Sequence, residues 1–94
     1  MTKYGVCLNG ENFWIDVGGD TVPRGFYVWV YVEAEDPDGA EKLAVEILRK
    51  DEDLSRLTQN PRHESPMIHL EEIQELESFN QEEMPRSGFA WYAS

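Results

Sequence analysis

The chain has 94 residues, of which 40% are hydrophobic and 12% aromatic, and its formal net charge is −11. This length suits one domain with a modest core, and the aromatic content excludes a disordered acidic tail. We therefore expect a single folded domain over residues 1–94. The negative charge disfavours phosphate backbones and anionic membranes, and it favours basic protein partners or plain solubility.

The content of cysteine and histidine makes a metal site a weak hypothesis. Cys7 is the only cysteine, so no intramolecular disulfide and no zinc cluster of the usual kind can form. His63 and His69 are scattered, without short ligand spacing, and we predict no metal and no cofactor. The N-terminal residues lack a signal-peptide run and no stretch approaches a membrane span, so we predict a cytoplasmic location with no membrane contact.

The first predicted elements are two short strands, residues 4–8 and 11–17. Asn9-Gly10 between them is the strongest short hairpin signal, since both residues tolerate positive φ. Residues 18–24 are predicted to be a loop on composition. In each strand one face is apolar: Tyr4, Val6 and Leu8, then Phe13, Ile15 and Val17.

Residues 25–50 are the stretch around which we expect the chain to be organised, a long strand that runs directly into a helix. Because side chains alternate between the faces of a strand, this strand is apolar on both faces. Such a strand should be central in its sheet and covered on both sides. One face carries Phe26, Val28, Val30, Val32 and Ala34; the other carries Tyr27, Trp29 and Tyr31.

The start of the helix is well signalled. Asp36 can cap it, Pro37 suits its first position, and Asp38 favours the positive end of the helix dipole. Helical spacing then puts apolar residues in one stripe, and we expect this helix to cover the aliphatic face of the sheet. The stripe consists of Ala40, Leu43, Ala44, Ile47 and Leu48.

The remaining segments are shorter and less regular. We predict a second short helical turn over residues 51–57, with Leu54 and Leu57 facing inward, and a loop over residues 58–66. Residues 67–79 fit a helix or a bulged strand, and we favour an edge strand over the first half. Pro66 opens this segment and its glutamates would guard an exposed edge. Residues 80–87 are a predicted polar loop, and residues 88–92 a final strand.

The predicted order is thus strand, strand, strand, helix, strand, strand. It indicates an α+β fold, a mainly antiparallel sheet with one helix packed on it. If the sheet curls enough to close, the alternative is a small Sm-like or SH3-like barrel with an inserted helix.

Three runs of sequence carry a family resemblance. They are GENFWIDV at residues 10–17, RGFYVWVYVEAEDPDGAEKLAVEILRKDEDL at residues 24–54, and GFAWYA at residues 88–93. This layout, GENF…GFY…VEA, resembles a class of small uncharacterised bacterial proteins. The resemblance covers most of the chain and implies no activity.

The most suggestive feature for function is the aromatic face of the central strand, which we predict to be an interaction face. Three interpretations compete: a second half-core covered by Phe89 and Trp91, a self-association face, or a base-stacking platform. The last needs a basic groove, and the first third of the chain offers only Lys3 and Arg24. The predicted face consists of Tyr27, Trp29, Tyr31 and, on a neighbouring strand, Trp14.

We find no catalytic set in the sequence. Serines are few and no Ser/His/Asp set can be argued, and every pair of carboxylates has an ordinary interpretation as solvated surface. Gly18-Gly19 is not followed by the Lys-Ser/Thr of a phosphate loop. Cys7 lies in a predicted strand, where a buried apolar role is commoner than a nucleophilic one.

The sequence therefore predicts a non-enzymatic, self-associating protein-interaction module, with a homodimer as its first assembly. One alternative is a nucleic-acid binder of Sm-like or sheet-platform type that uses the same aromatics. Another is an acidic inhibitor or immunity-type protein for a basic partner, with residues 71–83 as its contact surface.

Overall fold

The computed structural model describes residues 1–93, and it shows an antiparallel four-stranded sheet with one main helix packed on it. The α+β prediction is confirmed. The strands lie in the order β3-β1-β2-β4, and because nothing in the described range pairs β3 with β4, the sheet curls without closing into a barrel. The elements are β1 (Thr2–Val17), β2 (Asp20–Ala34), α1 (Pro37–Arg49), α2 (Glu52–Leu57), β3 (Met67–Leu76), a 3₁₀ turn (Gln81–Glu83) and β4 (Ala90–Ala93).

β1 is one continuous strand, so the hairpin predicted at Asn9-Gly10 is wrong. Its irregularity is a β-bulge: Gly10 pairs with Phe26 and Phe13 pairs with Arg24, which leaves one extra residue on β1. A bulge of one residue exchanges the faces of all side chains beyond it. The apolar positions of β1 therefore change from even to odd numbers without a turn, a change that the sequence analysis took for two strands.

Asn9 and Gly10 have packing roles instead. The Phe26 ring lies over Gly10, where a Cβ atom would stand 2.2 Å from the ring. Asn9 is buried, and its side-chain amide donates to the Phe26 carbonyl oxygen at 3.0 Å. The chain turns at Gly18-Gly19, whose φ angles of +63° and +96° are those that glycine adopts at no steric cost.

The core lies on the inner face, which is the side of the sheet that α1 covers. Each large side chain buried there stabilises the fold by about 1.5–3 kcal/mol relative to full exposure. The prediction that the helix covers the aliphatic face is confirmed, although Leu43 is 39% exposed and does not belong to the packed stripe. The core comprises Tyr4, Val6, Leu8 and Phe13 of β1, Phe26, Val28, Val30, Val32 and Ala34 of β2, and Ala40, Ala44 and Leu48 of α1, with Leu54 of α2.

Both helices begin with an aspartate cap. The Asp36 carboxylate accepts the Gly39 N–H at 2.8 Å, and the Asp51 carboxylate accepts the Leu54 N–H at 3.0 Å. The predicted second helical turn is confirmed as α2, with Leu54 buried. Leu57 is 44% exposed, so its predicted inward orientation is wrong.

β3 is an edge strand, as predicted, and it extends to Leu76 rather than over half of the segment. A second bulge lies at Glu71, between the pairs Cys7–Glu72 and Leu8–Leu70. This bulge explains why the apolar spacing changes from two, between Ile68 and Leu70, to three, between Leu70 and Ile73. Two of them pack against the core from either side of the bulge: Ile68 and Ile73.

The C-terminal segment completes the sheet beside β2. The Tyr31 N–H donates to the Pro85 carbonyl at 2.9 Å and the Ser87 N–H to the Trp29 carbonyl at 2.8 Å, ahead of the regular pairing of β4. These bonds satisfy the edge of β2 that β1 leaves open. The predicted polar loop of residues 80–87 therefore includes a short stretch paired to the sheet.

Phe89 and Trp91 pack on the inner face. Their ring centroids lie 5.0 Å and 5.2 Å from that of Phe26, which is a core residue. The interpretation in which these two residues cover the opposite aromatic face is therefore wrong. Since β4 pairs antiparallel with residues 24–27, alternation sends Trp91 inward and Tyr92 outward.

A partly buried ion pair fastens this segment to α2. The Arg86 Nε donates to the Asp51 carboxylate at 2.6 Å, and an Nη atom reaches Asp53 at 3.0 Å; the side chains of Arg86 and Asp51 are only 15% and 14% exposed. The Arg86 guanidinium also lies 4.2 Å from the Phe89 ring centroid. Burial raises the pKa of Asp51, but the hydrogen bonds from Arg86 and the Leu54 N–H outweigh it, and the pKa is lowered overall.

We expect Arg86→Met to lower the free energy of unfolding at pH 7 by about 1–3 kcal/mol, because it leaves a partly buried carboxylate without its cation. A lowered pKa in the folded state contributes stability above the unfolded value of about 3.9, and this contribution is lost as the pH falls through the folded value. The difference in the free energy of unfolding between the variant and the parent should therefore become smaller below about pH 4. Urea unfolding over a pH series measures it.

Lys50→Met is the matched control, since Lys50 forms an exposed pair with Glu46. Loss of such a pair should change stability by less than about 1 kcal/mol. The ion pair does not hold the segment if Arg86→Met lowers the free energy of unfolding no more than Lys50→Met does. The same conclusion follows if the loss caused by Arg86→Met is equal at pH 7 and pH 3.

Candidate functional site: the outer face of the sheet

The outer face is the side of the sheet opposite α1. Tyr27, Trp29 and Tyr31 of β2 lie on it side by side, as the alternation of the strand predicts. Tyr27 is 43% exposed, and the other two are half-buried. Both helices contribute their buried residues to the core on the other side. The central strand therefore presents large aromatic side chains on a face that neither α1 nor α2 covers.

Trp14 does not join this group. It pairs with Pro23, four residues along β2 from Tyr27, at the far end of the hairpin. Its indole N–H donates to Asn12 at 3.0 Å, and its backbone N–H donates to the Asn60 side chain at 2.9 Å. Trp14 is thus held against the loop of residues 58–66. The structure brings the three aromatics of β2 together and leaves Trp14 apart from them.

Tyr92 partly covers the Tyr27 end of the outer face. Its ring centroid lies 5.3 Å from that of Tyr27, and it occupies the space above Gly25, where a Cβ atom would stand 2.1 Å from the ring. The Tyr92 hydroxyl accepts a hydrogen bond from the buried Asn9 amide at 2.7 Å. This contact ties the last strand to β1 across β2.

Phe79 and Glu83 border the Tyr31 end. The ring centroids of Phe79 and Tyr31 are 6.2 Å apart, and the Lys3 ammonium lies 5.9 Å from the Phe79 centroid. The Tyr31 hydroxyl donates to the Glu83 carboxylate at 3.0 Å. Burial raises the pKa of Tyr31, and the hydrogen bond to Glu83 and its negative charge raise it further, so the phenol stays protonated as a donor at neutral pH.

Between these ends lies a small depression, which we call the cradle. Its volume is about 170 Å³, well below the roughly 300–1,000 Å³ of typical small-molecule sites. Its floor at Gly5 is narrow, since a Cβ atom there would stand only 3.3 Å from a Leu76 methyl and 3.4 Å from the Trp29 ring. The cradle is lined by Gly5, Trp29, Tyr31, Gln74 and Leu76.

Acidic groups dominate the β3 side of the outer face. Burial raises the pKa of Cys7, and the negative charges of Glu71 and Glu72 raise it further. A buried thiol with a raised pKa is a poor nucleophile, which agrees with the apolar role predicted for Cys7. His69 faces outward, with its Nε2 atom 3.3 Å from the Glu11 carboxylate.

A larger depression of about 300 Å³ lies at the end of the core, beside α2. Two of its polar side chains, Arg49 and Thr58, belong to the C-terminal ends of the helices. Arg49 occupies the last turn of α1, where a cation is favoured by the helix dipole, and the Thr58 hydroxyl donates to the Leu54 carbonyl at 2.6 Å. We therefore place the candidate site on the outer face.

Some residues of the outer face were missed by the sequence analysis. The position of Leu76 depends on the bulge at Glu71, which the sequence does not locate. Once it is placed, alternation sends Leu76 outward opposite Lys3. Glu83 and Tyr92 come from segments whose pairing with β2 has no short-range sequence signal.

The chain matches no family model, no curated protein and no solved structure in three comparisons. Within residues 1–93, no three His, Cys, Asp or Glu side chains gather as a metal site would require. In the same range no helix has both the length and the apolar character needed to cross a membrane.

We expect Tyr92→Phe to lower the free energy of unfolding by about 1 kcal/mol, because the buried Asn9 amide loses an acceptor. Tyr27→Phe is the matched control: it removes the same hydroxyl group from the exposed partner ring and should change stability by less than about 0.5 kcal/mol. Urea unfolding of both variants measures the difference. Equal effects of the two substitutions would show that the Asn9–Tyr92 bond does not secure β4.

Proposed function

We propose that this chain is a non-enzymatic protein-interaction module that docks through its outer face and associates with a second copy of itself. The observation that carries this proposal is the contrast along β2. Tyr27 is 43% exposed, whereas its neighbours Phe26 and Val28 are 0% and 1% exposed. Large exposed aromatics in the centre of a sheet face are typical of surfaces that bind other proteins.

The area of the outer face bears on how tightly a second copy could bind. A monomer of 10.9 kDa is expected to expose about 5,600 Å², and this chain exposes 6032 Å². With strands about 4.8 Å apart and about eight residues long, the outer face measures roughly 500 Å² in projection. Stable interfaces bury about 800 Å² per partner. We therefore expect a weak, reversible dimer.

The edges of the sheet favour contact through the face rather than along a strand. β3 carries the bulge at Glu71, and acidic residues follow it at Glu72 and Glu75. β4 at the other edge has only 4 residues. Short, bulged or charged edges discourage pairing with a further strand. The outer face is thus the available apolar contact surface.

The charge of the chain limits self-association. Two copies at −11 each repel one another, and salt screens this repulsion. We therefore expect the dimer to strengthen as salt is raised, since its contact is apolar. The alternative of an acidic inhibitor for a basic protein is favoured by Glu72 and Glu83, whose side chains bond to residues of the cradle. The same charges disfavour the nucleic-acid alternative.

We expect the parent chain to dimerise with a Kd of roughly 10–100 μM and Tyr27→Glu to remain monomeric, because the substitution places a charge within the apolar contact. The measurement is the solution mass by light scattering over a concentration series at low and high salt. Leu43→Glu is the matched control, since Leu43 is 39% exposed and lies on α1.

The control should dimerise as the parent does, and circular dichroism should show that both variants are folded. A parent chain that stays monomeric at all concentrations would refute self-association. A dimer that persists in Tyr27→Glu but is lost in Leu43→Glu would show that the interface lies on the side of α1 and not on the outer face.

A further inference from the structure

The cradle has the size and the walls of a pocket for one side chain. Its volume of about 170 Å³ lies over Gly5, with the aromatic residues Trp29 and Tyr31 of β2 on one side and Gln74 and Leu76 of β3 on the other. Pockets of this kind at the centre of an interface receive a single anchor residue of the partner. Trp29 is also held in place, since its backbone N–H and C=O are both bonded to Ser87.

The polar groups around the cradle are mainly anionic. The Tyr31 hydroxyl donates to the Glu83 carboxylate at 3.0 Å, and the Gln74 amide donates to the Glu72 carboxylate. Each wall thus holds a carboxylate at the rim. Lys3, which pairs with Leu76, stands 3.8 Å from the Glu33 carboxylate, so its charge is partly offset.

An anchor with a positive charge and a flat shape fits these walls. Cations are attracted to the faces of Trp and Tyr rings, and the attraction grows where water is excluded. A guanidinium group also stacks on such rings and bonds carboxylates in pairs, whereas an ammonium group is more strongly hydrated and makes point contacts. The net charge of −11 further raises the rate at which a basic partner arrives.

We propose that the cradle binds an arginine side chain of a basic protein partner, with Trp29 and Tyr31 stacking on the guanidinium and Glu72 and Glu83 neutralising it. This inference rests on the proposed function, because it requires the outer face to be the docking surface. It goes beyond that function in naming the chemistry of the partner. A second copy of this chain occupies the same face, so the two partners exclude one another.

The test is a titration of the isotopically labelled chain with hexa-arginine peptide, followed by the three tryptophan indole signals in two-dimensional NMR. The protein is kept dilute enough to be monomeric, at low salt. We expect the Trp29 indole signal to shift and to saturate as the peptide concentration is raised, while the indole signals of Trp14 and Trp91 do not shift. Hexa-lysine should bind at least about fivefold more weakly, because it cannot stack.

Two pairs of substitutions separate a specific site from general attraction. Glu72→Gln with Glu83→Gln removes the carboxylates at the cradle, and Glu41→Gln with Glu52→Gln removes the same charge from α1 and α2. We expect the first pair to weaken hexa-arginine binding about tenfold and the second pair less than about twofold. Gly5→Val, which fills the cradle without changing charge, should also abolish the Trp29 shift.

The inference is overturned if both charge variants weaken binding equally, or if the peptide shifts signals over the whole surface without saturating. If hexa-arginine does not bind but Tyr27→Glu abolishes the dimer, the arginine site fails while the proposed function stands. If hexa-arginine binds at Trp29 and the parent is always monomeric, the arginine site stands and self-association fails.

Discussion

The structure depends on the pairing of β2 along both of its edges. β1 pairs with it over nearly the whole of its length, from Thr2–Ala34 to Val17–Asp20, and the C-terminal segment pairs with part of the other edge. With both edges engaged, β2 can bury its aliphatic side chains completely on the inner face. The alternate side chains of β2, which are the aromatics, then lie on the outer face because side chains alternate along a strand. The core and the candidate site are two sides of the same strand.

The C-terminal segment connects these two sides. Arg86 reaches inward to the Asp51 cap of α2, while Tyr92 reaches outward over Gly25 to the Asn9 amide. Both contacts are polar bonds shielded from water, and such bonds are strong only when every partner is satisfied. The segment therefore couples the placement of the short helix to the shape of the outer face. Phe89 and Trp91 add the apolar part of this attachment.

Much of the fold follows from residue patterns, and the errors have local physical causes. The capped helix after Asp36 and the two faces of β2 are predictable because their signals are short-range periodicities. The bulges in β1 and β3 are not, since a bulge shifts alternation just as a turn or a helix does. Asn9-Gly10 has the composition of a turn, but its conformation is decided by Phe26, which is distant in sequence. The aromatics of the site were predictable, whereas Leu76 and Tyr92 depend on register.

The most direct test of this account compares two neighbouring residues of β2 that receive the same substitution. Val28→Thr puts a hydroxyl into the core and should lower the free energy of unfolding by about 2 kcal/mol. Tyr27→Thr alters only the outer face, introduces a β-branched residue that suits a strand, and should cost less than about 1 kcal/mol. Urea unfolding of the monomer measures both. If Tyr27→Thr costs as much as Val28→Thr, the outer face is a second core that holds the fold, and it is not a surface kept for a partner.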